Sequence, residues 1–195
     1  MSVSATGYLN QLSNLLQTMV ATDRDESNLE LDHAAGIAAT KIQETSNRGG
    51  KVLIVANGGS ASIASHLQND LSKACGVQAL VFTEAPLLTA LSNDNGYDTA
   101  YETLTRLWAR PDDLLVAISS SGRSENILRA VNAMRAAEGG VITLSGFESD
   151  NPLRSSGDIN FYVKSRHYGL VETAHAAISH YFSDAVAGLL DIGIE

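Results

Sequence analysis

A chain of 195 residues with 44% apolar and 18% charged side chains has the length of one globular domain and enough apolar material for a core, which excludes a disordered chain. The net charge of -9, from 22 acids against 13 Lys and Arg, argues against a general binder of nucleic acid or anionic membrane, because both need a basic face. It leaves open a small anion held by backbone amides, which need no net positive charge.

The first fifty residues read as two helices. Leu9, Leu12, Leu15, Leu16 and Met19 recur at helical spacing until Thr22-Asp23-Arg24-Asp25 breaks the pattern. Leu29, Leu31, Ala35, Ile37, Ala38 and Ile42 form a second run, and Gly49-Gly50 stops it. The pattern then changes. Residues 51–56 are a continuous apolar run, as expected of a strand buried on both faces, followed by the turn Asn57-Gly58-Gly59-Ser60. Residues 61–74 read as helix and 77–82 as strand. Residues 86–92 and 101–108 read as helices, and 113–118 as a third strand running into Ser119-Ser120-Ser121-Gly122. A helix over 124–138 ends at Gly139-Gly140. Strands over 141–144 and 159–163 and a last helix over 170–190 complete the chain. Strands alternating with helices predict an α/β fold with a doubly wound, parallel, five-stranded sheet. The expectation is a single domain over 1–195, with residues 1–50 as a helical appendage to an α/β core over 51–195.

The lone cysteine, Cys75, cannot form an internal disulfide, and residues 1–10 lack the basic and apolar regions of a secretion signal. No apolar run approaches the roughly 20 residues of a membrane span. These features predict a cytoplasmic protein with neither a membrane nor a nucleic-acid partner.

Two loops follow strands and open helices, where parallel sheets bind ligands. One is Asn57-Gly58-Gly59-Ser60. The other, residues 119–124, carries four serines, Ser119, Ser120, Ser121 and Ser124. Any strand-to-helix turn favours Gly and Ser, but four hydroxyls exceed what a turn needs. Hydroxyls with free helix amides make a phosphate cradle without lysine. Arg123 either touches such an anion or is solvated. Of the five histidines, His66 stands four residues before Asp70, so one helix face carries both. The last helix places Glu172, His175 and His180 in an otherwise apolar segment. Glu172 and His180 lie about 12 Å apart along a straight helix, too far to share one ion without an irregular turn or a neighbouring subunit. His33 has no visible partner, and His167 reads as an exposed loop residue.

Together these residues resemble a sugar isomerase (SIS) domain and, within it, the sedoheptulose 7-phosphate (phosphoheptose) isomerases. The resemblance rests on residues 57–60 with His66 beyond them, Asn93-Asp94, residues 119–124, Val141-Ile142-Thr143-Leu144-Ser145-Gly146, and the Glu172, His175, His180 spacing. It implies a three-layer α/β sandwich and a homotetramer with active sites between subunits. It also implies a sugar and phosphate site over Asn57, Gly58, Gly59, Ser60, Asn93, Asp94, Ser119, Ser120, Ser121 and Ser124. Zinc, or another divalent metal, is implied at His66, Asp70, Glu172 and His180. Asp70 stands where the family has Glu, and Glu172 where it has Gln. An acidic residue that the family carries just before this segment has no match at Gly169 and Leu170. The implied reaction is a ketose–aldose interconversion of sedoheptulose 7-phosphate, with Glu172 or Asp70 as base and His180 as acid. The alternatives are a non-catalytic phosphosugar sensor, similar to the DnaA initiator-associating protein, and an isomerase for another phosphosugar.

Overall fold

The computed structural model describes residues 4–188. Helix α1 (Ala5–Gln17) leads into a hairpin of β1 (Val20–Asp23) and β2 (Asn28–Leu29), and α2 (Leu31–Asn47) follows. Then come β3 (Val52–Ala56), α3 (Gly58–Lys73), β4 (Ala79–Val81), α4 (Ala85–Asn95) and α5 (Tyr97–Trp108). The chain continues through β5 (Leu114–Ser119), α6 (Glu125–Ala136), β6 (Gly140–Gly146), a 3-10 turn (Pro152–Ser155), β7 (Ile159–Val163) and α7 (Tyr168–Val186). The expected helix end at Leu190 lies outside the described residues.

The sheet order is β2-β1-β7-β6-β5-β3-β4. Its five strands from β3 to β7 are parallel, as the apolar runs predict. Two further strands correct the sequence reading: β1 pairs antiparallel with β7, and β2 with β1. The residues read as a break between helices are the hairpin itself. The Asp23 carboxylate accepts from the amides of Asp25 and Ser27 at 3.0 and 2.8 Å, and Glu26 takes φ +61° to close the turn. An Asx turn of this kind leaves no hydrophobic signal.

Strand periodicity divides the core into two layers. Val52, Ile54 and Ala56 of β3, with Leu114, Val116 and Ile118 of β5, face α2, α3 and α7. The intervening Leu53, Val55, Leu115 and Ala117 face α5 and α6. Helices on both faces of the sheet give the three-layer sandwich.

Helix α7 is docked by a polar contact inside the apolar layer. His175 is fully buried, and its Nε2–H donates to the Ser145 carbonyl of β6 at 3.1 Å. Burial pushes its imidazole down to about 4, although the bond to Ser145 works against the shift. The fold therefore holds His175 neutral while the unfolded chain gains the proton first on acidification. The stability tied to neutral His175 is complete above about pH 6.5 and lost between about 6.5 and about 4, at up to ~1.4 kcal/mol per pH unit. Urea unfolding near pH 7.5 and near pH 5 should show this loss in the native protein. His175→Gln, which keeps a donor for Ser145 and has no proton to gain, should flatten the dependence.

Candidate active site

Strands β3 and β5 are neighbours, and Ala56 pairs with Ile118, so both chains leave the carboxyl edge of the sheet side by side. Each enters a tight turn and opens a helix. Gly58 and Gly122 take φ +54° and +62°, which a side chain would resist. The turns converge on a pocket of about 200 Å³ lined by Asn57, Gly58, Gly59, Ser60, Ser119, Ser120, Ser121 and Ser124. Ile118, Tyr168 and Glu172 complete its wall.

Its chemistry suits an anion with several oxygens. The first turns of α3 and α6 direct amides and the positive ends of two helix dipoles at it. Ser119 Oγ donates to Ser124 Oγ at 3.2 Å, while the buried Ser120 Oγ has no protein partner. No Lys or Arg lines the pocket among the described residues. Arg123 is turned to the surface, where it donates to Asp150 at 2.7 Å, and does not line the pocket.

A second cluster lies farther along the same helix. His66 Nε2 and His180 Nδ1 each stand 3.4 Å from Asp70 Oδ2, and the two imidazoles meet edge to face at 4.8 Å between centroids. One ligand atom from each of the three falls within 4.8 Å of the others. Ligands around a four-coordinate zinc, at bonds of 2.0–2.1 Å, stand about 3.3 Å apart. The two imidazole-to-carboxylate separations are near that spacing, and two imidazoles with a carboxylate are donors that could hold a divalent ion. Ile63, Leu67, Ala176 and Ser179 line an adjoining hollow of about 250 Å³.

Glu172 is not in this cluster. It sits on continuous α7, about 12 Å along the axis from His180, and its carboxylate lies over Gly59 instead. Helical rise thus removes Glu172 from the ligand set of its own chain. Asn93 and Asp94 are also displaced from expectation. They lie exposed on α4, bonded to each other at 2.9 Å, and do not line the serine pocket. Helix α4 follows the edge strand β4 and packs on α5. His33 and His167 are exposed, and neither joins the cluster of His66, Asp70 and His180.

Sequence reasoning missed three residues that hold the turns. Asn151 is buried; its amide donates to the Gly146 and Glu148 carbonyls at 3.0 and 2.8 Å, and its side chain packs against Gly122. Asn126 exchanges two amide bonds with Asn57, both 2.9 Å. Tyr97 donates its hydroxyl to Asn57 Oδ1 at 2.6 Å. For Asn126 a signal was present: an amide in the first turn of a helix on the side that must be buried.

The SIS domain family matches residues 7–146. A phosphoheptose isomerase of Syntrophotalea carbinolica is 36% identical over 143 residues, covering 70% of this chain and 72% of the relative. One from Klebsiella pneumoniae is 30% identical over 179 residues, 88% of this chain and 90% of its own. The solved phosphoheptose isomerase GmhA of Neisseria gonorrhoeae superposes with a TM-score of 0.79 at 25% identity, covering 93% of this chain and 96% of that one.

Gly122 and Gly59 should respond differently to a methyl group. At Gly122 a Cβ would fall 1.9 Å from the anchored Asn151 Oδ1, at positive φ. Gly122→Ala should therefore cost about 1–3 kcal/mol in urea unfolding. At Gly59 the Cβ meets the free end of Glu172 at 2.6 Å, which can swing aside. Gly59→Ala should leave stability within about 1 kcal/mol of the parent, or raise it by helix propensity.

Proposed function

The chain belongs to the SIS domain family, among the phosphoheptose isomerases, and on that premise we propose that it interconverts sedoheptulose 7-phosphate and an aldoheptose 7-phosphate. One observation carries the reading. Helix α3 opens on the anion pocket with Ser60 and carries His66 and Asp70 about 9 and 15 Å farther along its axis. A sugar anchored by its phosphate at the serines can extend its carbonyl end towards the imidazoles and the carboxylate. A protein that only binds phosphosugars gives no reason for three ligand-competent side chains to meet there.

His66, Asp70 and His180 would hold a divalent metal, with zinc the ion that best fits their chemistry and spacing. When bound, it would polarise the substrate carbonyl and the adjacent hydroxyl. Of the two candidate bases, Asp70 stands with the imidazoles and takes the proton from the carbon beside the carbonyl. His180 supplies the proton on the other side. Glu172, on the pocket wall, accepts hydrogen bonds from sugar hydroxyls between the phosphate and the reacting carbons.

The cluster is open to solvent on one side: the side chains of His66 and His180 are 59% and 52% exposed. A homotetramer that covers this face would exclude water from it, and the fourth ligand would then come from another subunit. Among the described residues no helix is long and apolar enough to cross a membrane. With the acidic charge and single cysteine, this supports a cytoplasmic enzyme whose partners are its sugar and its own copies, without nucleic acid.

Metal analysis of the purified protein should find a divalent ion, and a chelator should abolish turnover of sedoheptulose 7-phosphate, with zinc restoring it. Metal-free protein with full activity would overturn this assignment. Asp70→Asn should lower kcat by about 10²–10⁴. Glu172→Gln should mainly raise KM, by about tenfold, the worth of one hydrogen bond to a charged group. A larger kcat loss from Glu172→Gln than from Asp70→Asn would reverse the two roles.

A further inference from the structure

Asparagine and serine are strong helix N-caps, because their side-chain oxygens satisfy amides of the first turn. In this chain they do so at the starts of α1 and of the 3-10 turn. Ser4 Oγ accepts from the Gly7 amide of α1 at 3.0 Å, and Asn151 Oδ1 accepts from the Arg154 amide at 3.0 Å. At the pocket the same residue types do not cap. Asn57 precedes α3 with extended backbone, φ -116° and ψ 154°, yet its side chain makes no bond to the helix. Ser124 likewise leaves α6 uncapped, its Oγ engaged by Ser119.

The reason at α3 is visible. Asn57 Oδ1 accepts from Tyr97 Oη at 2.6 Å and from Asn126 Nδ2 at 2.9 Å, while Asn57 Nδ2 donates to Asn126 Oδ1 at 2.9 Å. Both ends of the amide are occupied. Asn126 is buried, and Tyr97 belongs to a pair: one turn later, Tyr101 donates to the Ala56 carbonyl at 2.8 Å. Two tyrosines of α5 and one asparagine of α6 thus hold the β3–α3 turn from outside. Beside it, the buried, unpartnered Ser120 Oγ marks the same pocket as built for a ligand.

We propose that Tyr97 and Asn126 are positioning residues: they hold the Asn57 side chain off α3 and so keep its first-turn amides free for the substrate phosphate. The inference rests on the phosphate cradle proposed above. A clamp that is merely structural would, when lost, lower stability and weaken every ligand alike. Release of Asn57 instead lets it cap α3, which preserves stability and competes only with the phosphate.

The test is calorimetric titration of the intact assembly with inorganic phosphate and with sedoheptulose 7-phosphate. Asn126→Ala and the milder Tyr97→Phe should each weaken both ligands about fivefold, the equilibrium worth of a helix cap, without lowering the melting temperature. In turnover they should raise KM while kcat holds. In an Asn57→Gly background, where no side chain can cap, Asn126→Ala should have no further effect on phosphate affinity. Unchanged affinity in both single variants, or an equal loss in the Asn57→Gly background, would overturn the proposal. Native protein that binds neither ligand would overturn the cradle itself, whereas native binding with indifferent variants removes only this inference.

Discussion

The ladder between β3 and β5 is the constraint on which the site depends. Five register pairs, from Val52 with Leu114 to Ala56 with Ile118, bring two strands distant in sequence to the same sheet edge at the same height. Parallel pairing makes both chains exit in one direction, so the turns after them must share space. The glycines, serines and helix amides of those turns then face one pocket without any further device. A shift in this register would separate the turns and put alternate side chains on the wrong face of the sheet.

The second cluster depends on a different contact, the packing of α3 on α7. Imidazoles from the two helices meet there, beside the small side chains of Ala176 and Ser179. His175 fixes α7 against β6 on the opposite side of that helix. The helix is therefore held on one side by a buried neutral ring and presents His180 on the other. Glu172, a little over two turns before His180, lies at the serine pocket instead.

Much of this was legible in the sequence. Apolar runs followed by Gly and Ser identified the parallel strands and both turns, because burial on two faces and left-handed backbone leave marks in residue type. His66 with Asp70 was readable from helical spacing alone. The hairpin over 20–29 was not, since Asp23 closes it with side-chain bonds that have no periodicity. Nor was the location of Asn93 and Asp94, which depends on how α4 leans on α5. Asn151 and Tyr97 escaped because their roles are pairings across 29 and 40 positions of chain.

The hairpin over 20–29 has a bearing on how the protein behaves when crowded. An open sheet offers two raw rims, each a template for runaway strand addition. Here one rim ends in Asn28–Leu29, two residues long, and the other in Ala79–Val81, three residues long. Stubs this short give an incoming strand little to grip, so fibril growth through backbone pairing is discouraged. Self-association is left to the helical surfaces, where side chains rather than bare amides choose the neighbour.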